Sequence, residues 1–424
     1  MLIADMTKTL LRCSIPLLMS VAAVMPFSGF AVNGPPTAEE RQDEMHLWLD
    51  EPPDQTWQVT GQYPTVPGTE HAVIFRGDSV KGSYNHHAQI CHFGGRFHAV
   101  WSNQRYDEDG PGQRVLYATS PDGLRWDDPR EIVPSVSPEA PWERGGAYCA
   151  AGAFVVFENR LFASAGMAMI SKWQDIERRK SSPVCTRECG FPVYRGLGRL
   201  YREIKGDGSY GPLFCEDPDS LPSNLLVKIE KRVKVMPRFV LPRPEWGMGD
   251  VLKQKGDRRF CEPTAWKAKD GRFTMLLRDD SNSYRKWIAF SDDGWHWTKP
   301  RLTDIGDART MACNLTLDDG TVLLICNPRG RGFNDPKLGW RDRDPMTISV
   351  STDGLHFSGT HTVKEGYHRF TVPLKGGPRC RGGSAAYPCA IRVGDYCHVI
   401  YSNGKEDIGT TRIPLKPLLS KKEK

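Results

Sequence analysis

Beyond its N-terminal end the 424-residue chain has no apolar run long enough to cross a membrane, no Cys-x-x-Cys pair and no basic stripe. The first absence excludes a helical membrane protein with several spans, and the second removes the usual ligand spacing of a structural zinc site. The formal net charge is only +6, and the Ser420–Lys424 end (SKKEK) adds to it as a solvated tail, so no nucleic-acid partner is expected. Sustained 3.6-residue periodicity is missing too, which excludes a helical bundle. What the chain does have is 41 Gly, 32 Pro and 10% aromatic residues, the composition of a turn-rich all-β protein.

The single long apolar run is N-terminal. Lys8 and Arg12 precede Cys13 to Ala31 (CSIPLLMSVAAVMPFSGFA), which ends in the small residues Ser28, Gly29 and Ala31. This reads as a signal peptide over residues 1–31 cleaved near Ala31, with an uncleaved anchor as the alternative. The expectation is a secreted or periplasmic monomer without membrane attachment after cleavage. Removing Cys13 reduces twelve cysteines to eleven. Cys185 with Cys189, or two of Cys380, Cys389 and Cys397, are then candidate disulfide partners, and the odd number leaves a thiol on a buried strand.

A turn feeding a strand of about six residues recurs at GGRFHAVWSN (94–103), ENRLFASAGM (158–167), DGRFTMLLRD (270–279), DDGTVLLICNP (318–328) and VGDYCHVIYSN (393–403). The turn positions Gly95, Asn159, Gly271, Gly320 and Gly394 are 64, 112, 49 and 74 residues apart. If the long gap hides one further unit, six small antiparallel sheets result. None could bury both faces alone, which argues for radial stacking in a six-bladed β-propeller, with a sandwich of unrelated hairpins as the alternative. The expected organisation is a lead-in at 32–70, the propeller at 71–416 and a basic tail at 417–424.

A second repeat has the form Ser-x-Asp-Gly-x-x-aromatic. It occurs at Ser120–Trp126, Ser291–Trp297 and Ser351–Phe357, each after a predicted strand. The Asp carboxylate can cap backbone N–H groups of a tight turn while the aromatic folds back between sheets. These motifs are similar to the Asp-boxes of the sialidase superfamily, shortened by one residue, and the resemblance runs from about Ile74 to Pro414. It implies that Asp122, Asp293 and Asp353 are structural and that function resides in loops at the opposite end.

The resemblance also implies site residues. Glu262 in FCEPTAW resembles the glutamate that activates a nucleophilic tyrosine, and Tyr387 in AAYPCAI resembles that tyrosine. Arg278, after MLL at a strand end, resembles one carboxylate-binding arginine. Arg343 resembles another, with Arg329, Arg331 and Arg341 as competitors. Asp107 and Asp109 occupy the loop where the family carries its acid/base. The first blade departs from the pattern: Tyr84-Asn85-His86-His87 places Asn85 where an arginine is usual. Adjacent strand residues face opposite ways, so only one of His86 and His87 is expected to face the channel, where it could abstract a uronate C5 proton with Tyr148, near Arg144, as acid. The stretch 181–218, rich in Cys, Gly and Arg, reads as a loop over the central face, carrying Tyr194, Arg195 and Arg199.

The expected function is cleavage of a glycosidic bond in an acidic oligo- or polysaccharide by sialidase-like hydrolysis, without cofactor or metal. β-Elimination by a histidine and Tyr148 is one alternative, and glycan binding without catalysis is another.

Overall fold

The computed structural model describes residues 34–50, 63–105, 108–140, 146–170, 194–215, 234–235, 246–247, 251, 258–281, 283–328, 343–372 and 383–420. A short helix, α1 (Ala38–Gln42), is closed by a capping box between Thr37 and Glu40. β1 (Glu70–Phe75) follows. The first blade is β2 (Tyr84–Phe93), β3 (Arg96–Gln104), β4 (Arg114–Ser120) and β5 (Arg130–Val133). The second is β6 (Gly146–Phe157), β7 (Arg160–Ile170), β8 (Tyr194–Ile204), β9 (Tyr210–Cys215) and β10 (Lys234–Val235). The third is β11 (Phe260–Lys267), β12 (Phe273–Asp279), β13 (Arg285–Ser291) and β14 (Arg301–Gly306), and the fourth is β15 (Cys313–Thr316), β16 (Val322–Cys326), β17 (Met346–Ser351) and β18 (Ser358–Lys364). The fifth combines β19 (Ala385–Val393), β20 (Tyr396–Asn403) and β21 (Asp407–Pro414) with β1, which pairs antiparallel to β21.

The described residues therefore form a five-bladed propeller, not the six-bladed one expected from turn spacing. The interval between Asn159 and Gly271 holds no sixth sheet among the described residues. It holds the rest of a second blade whose inner strands are twelve and eleven residues long. The segment expected to be a loop over the central face supplies β8 and β9 of that blade. Its strand pattern was hidden by Arg202, which is buried but donates to the carbonyls of Ile132 (2.9 Å) and Gly211 (3.1 Å), so the charge is not left unsolvated by protein.

Cores lie between blades, as stacked sheets require. Tyr117, Cys149, Phe154 and Leu161 join the first and second, and Trp266, Ile288, Leu324 and Phe357 join the third and fourth. Leu323 packs with Ile348, Val399 and Ile413 across the fourth and fifth. Ring closure uses the chain's own ends. Ile74 and Phe75 of β1 pack with Trp101 and Ile408, joining the fifth blade to the first. The lead-in covers an open sheet edge: Leu47 and Trp48 donate to Asp304 Oδ1 on β14 (2.8 and 3.0 Å), and Leu47 and Leu49 exchange backbone bonds with Phe357. At the other end α2 (Leu415–Leu419) buries Leu415 and Leu418, so packed structure continues into the segment read as a tail.

All three Asp-boxes join the third strand of a blade to its fourth. In each, the serine hydroxyl accepts from the glycine N–H at 2.8–2.9 Å, and the aspartate accepts two backbone N–H bonds. Gly123, Gly294 and Gly354 have φ of 77°, 79° and 80°, a conformation glycine adopts without a Cβ penalty.

Cys389 and Cys397 are free and buried, because the β19–β20 register sets Cys389 opposite Ile400 and Cys397 opposite Arg392. Cys185, Cys189 and Cys380 lie outside the described residues, as do residues 1–33. No helix among the described residues is long and apolar enough to cross a membrane.

Candidate active site

Three of the innermost strands carry a bulge near their N-terminal ends. The register slips between His86 and Gln89 in β2, between Cys261 and Thr264 in β11, and between Ala386 and Cys389 in β19. At each slip one non-glycine residue is left-handed: His87 (φ 53°), Glu262 (φ 46°) and Tyr387 (φ 58°). Such a conformation costs on the order of 1–3 kcal/mol per residue, and bulges serve to re-aim side chains.

The re-aimed groups meet. The Tyr387 hydroxyl donates to Glu262 Oε1 at 2.8 Å, while Arg278 Nη1, from β12, lies 2.6 Å from the phenol oxygen and 2.5 Å from Glu262 Oε2. Arg278 Nη2 donates to Asp280 Oδ1 at 2.7 Å, and Arg309 Nη2 reaches the same oxygen at 3.3 Å. Asp279 is not the partner of Arg278, because Arg258 and the Ser281 N–H hold it. Arg343 is 2% exposed, with its guanidinium carbon 5.2 Å from the centre of the Tyr387 ring, and Lys405 Nζ lies 5.5 Å from that centre. Lys405 also donates to Glu108 Oε2 at 2.7 Å.

Burial pushes the Tyr387 phenol well above its usual pKa; Arg278 pulls it down and Glu262 raises it again. The resting group is thus a neutral phenol with a hydrogen-bonded carboxylate ready to take its proton. Burial acts to raise Asp280, but Arg278, Arg309 and Arg259 overcome it and hold the carboxyl at about 2. Among the described residues, the cluster joins the cations Arg278, Arg309, Arg343 and Lys405 to the carboxylates Glu262, Asp280 and Glu108, one more cation than carboxylate. The surplus suits an anionic ligand.

Both histidines lie against Tyr387, with ring centres 4.1 Å (His86) and 5.6 Å (His87) from the phenol ring. Strand alternation predicted that only one would. The left-handed His87 at the bulge breaks the alternation and turns the second ring to the same side. Burial, then Lys405, His87, Arg343 and Arg278, hold His86 well below its usual pKa, and burial also lowers His87.

Asn85 is not available to a ligand. Its amide donates to the carbonyls of Gly82 and Glu406, and its oxygen accepts from Trp101 Nε1 and Asn103 Nδ2, so it ties the first blade to the fifth. Asp109 lies close enough to Tyr148 to help burial raise that phenol's pKa, with Glu108 adding to the effect. Tyr148 itself is buried on β6. Asp107 and Arg144 lie outside the described residues, as do Arg329, Arg331 and Arg341. Sequence reasoning missed Glu108, Arg309 and Lys405. Glu108 stands between the two aspartates it did consider, and Lys405 follows a strand in the turn Gly404-Lys405-Glu406. Arg309 carries no sequence signal.

Comparisons with known proteins agree with this architecture. Residues 237–399 match a BNR repeat-like domain and residues 58–217 match a model described as an N-terminal beta propeller. No curated protein matches the chain. Among solved structures, a sialidase superposes with a TM-score of 0.58 at 19% identity, over 88% of this chain and 35% of that one. A Trypanosoma rangeli sialidase bound to the inhibitor DANA gives 0.46 at 11% identity, covering 82% of this chain and 60% of that one. A Dyadobacter fermentans protein of unknown function gives 0.46 at 15%, covering 82% and 99%. The chain spans about a third of the length of the first of these sialidases. Its fold is that of a sialidase-like β-propeller with BNR repeats.

Proposed function

We propose that the protein is a glycoside hydrolase acting on an acidic glycan, with Tyr387 as nucleophile. The observation that carries this reading is the contact of the Tyr387 hydroxyl with both Glu262 and Arg278. A neutral phenol can approach a sugar carbon beside a carboxylate without the repulsion a carboxylate nucleophile would meet. Attack on the anomeric carbon forms the Tyr387 O–C bond as the phenol proton passes to Glu262 Oε1, and the bond to the leaving oxygen breaks. That oxygen takes its proton from Asp107 or Asp109, of which Asp109 is near enough to Tyr148 to raise that phenol's pKa. Water then cleaves the glycosyl–tyrosine bond. Arg278 and Arg343 hold the substrate carboxylate, Arg278 through donor capacity it shares with Asp280 and Glu262. The protein is proposed to act outside the cytoplasm, after removal of residues 1–31, as a monomer.

A second reading, β-elimination at a uronate, draws on the buried, low-pKa His87 beside Tyr387. One assay separates the two. Sialyl conjugates and uronate-containing polysaccharides are incubated with the protein while sugar release and the ultraviolet absorbance of an unsaturated product are followed together. Sugar release without absorbance is expected. Unsaturated product would assign the elimination, and neither signal across the panel would leave glycan binding alone.

A further inference from the structure

We propose that His86, His87 and Glu108 form a binding site for one divalent transition-metal ion, of the borderline class represented by Zn2+. One ligand atom from each of the three lies within 4.8 Å of the others. Ser402 bears on what His86 presents there. Ser402 Oγ lies 3.2 Å from the Ala386 carbonyl and 2.7 Å from His86 Nδ1, so with its own proton on the carbonyl it accepts from His86 Nδ1–H. In that tautomer Nε2 carries a lone pair, and the atom is buried, without a hydrogen-bond partner and 3.9 Å from Glu108 Oε1.

A lone pair facing a carboxylate in a buried site is repulsive unless a cation lies between them. His87 supplies the independent observation. It is 8% exposed, and neither ring nitrogen has a hydrogen-bond partner, an arrangement that costs on the order of 1–3 kcal/mol unless a ligand satisfies it.

Two neighbours orient the ligands as outer-shell groups do in metal centres. Ser402 Oγ lies 2.7 Å from His86 Nδ1, and Lys405 Nζ donates to Glu108 Oε2 at 2.7 Å. Two imidazoles and one carboxylate suit zinc and its neighbours better than Mg2+ or Ca2+, and three protein ligands keep a position open for a substrate oxygen beside Tyr387. By contrast, the cluster of His368, Glu406 and Asp407 is satisfied by the protein, with Glu406 accepting from His368, Thr371 N–H and Val372 N–H. The inference concerns ion binding and does not depend on the hydrolytic reading.

The test uses the untagged full chain, stripped with a chelator and titrated with ZnCl2 by calorimetry, with thermal unfolding recorded in parallel. One ion per chain and a raised unfolding temperature are expected, with affinity lowered at least about tenfold in both His87→Gln and Glu108→Gln. Absence of saturable binding by the wild type, or unchanged affinity in both variants, would overturn the proposal. If either variant does not fold, the cobalt form of the wild type decides. Paramagnetically shifted imidazole N–H protons are expected in its NMR spectrum, and a spectrum lacking them overturns the site.

Discussion

At the scale of single residues, the site was partly legible. Tyr387, Glu262 and Arg278 are the positions that the resemblance to sialidases singled out, and the fold brings all three into contact. The orientation of His87 was not legible, because a strand pattern does not announce a one-residue bulge. Tyr387→Phe keeps the ring and deletes the oxygen that contacts Glu262 and Arg278; it should lower kcat by at least about 10^3, and Glu262→Gln by roughly 10^2 to 10^4, with sugar release as the measurement. A pH effect belongs to the same scale. The folded-state pKa of Asp280 lies near 2, below its ordinary value of 3.8. Its contribution is therefore present above about pH 4 and is lost as pH falls toward about 2. Asp280→Asn should be less stable than wild type by roughly 1–2 kcal/mol at neutral pH. In urea unfolding between pH 4 and pH 2 the gap should narrow; a constant gap would remove the ion-pair explanation.

At the scale of elements, the Asp-boxes were the most legible feature, because their meaning is local. Serine, aspartate and glycine at fixed spacing close a turn by their own hydrogen bonds, whatever the rest of the chain does. The expected wedging of the aromatic between sheets is seen where Phe357 packs against Trp266 of the third blade, but the polar contacts of that joint were not legible. Trp266 Nε1 of the third blade donates to the Gly354 carbonyl of the fourth at 2.7 Å, and a Cβ at Gly354 would stand 2.9 Å from Ala268 Cα. Gly354→Ala thus meets both a φ of 80° and a backbone neighbour. A loss of roughly 1–3 kcal/mol is expected from urea denaturation. Because the box lies away from the Tyr387 cluster, turnover of the remaining folded protein should stay at the wild-type value. A selective fall in kcat would mean that the third and fourth blades position Arg278 and Arg343 through this joint.

At the scale of the molecule, blade number was misread because turn spacing measures chain length and does not count sheets. The second blade uses longer strands and more intervening chain than the others, and an average unit length converts that excess into a blade that is absent from the described sheets. Closure has a functional consequence that spacing could not show. His86 and His87 come from the first blade, Glu262 and Arg278 from the third, and Tyr387 from the fifth. The cluster therefore exists only while the ring is shut, and the shutter is β1 on β21. Phe75 on β1 is 6% exposed, and its ring centre lies 5.6 Å from that of Trp101, which in turn donates to Asn85. Phe75→Ala removes that contact at the seam and should cost about 3–5 kcal/mol. Heating the variant should abolish sugar release and tryptophan fluorescence of the folded state along one curve, shifted to lower temperature than wild type. Loss of activity well before the fluorescence transition would show instead that the seam opens while the blades remain folded.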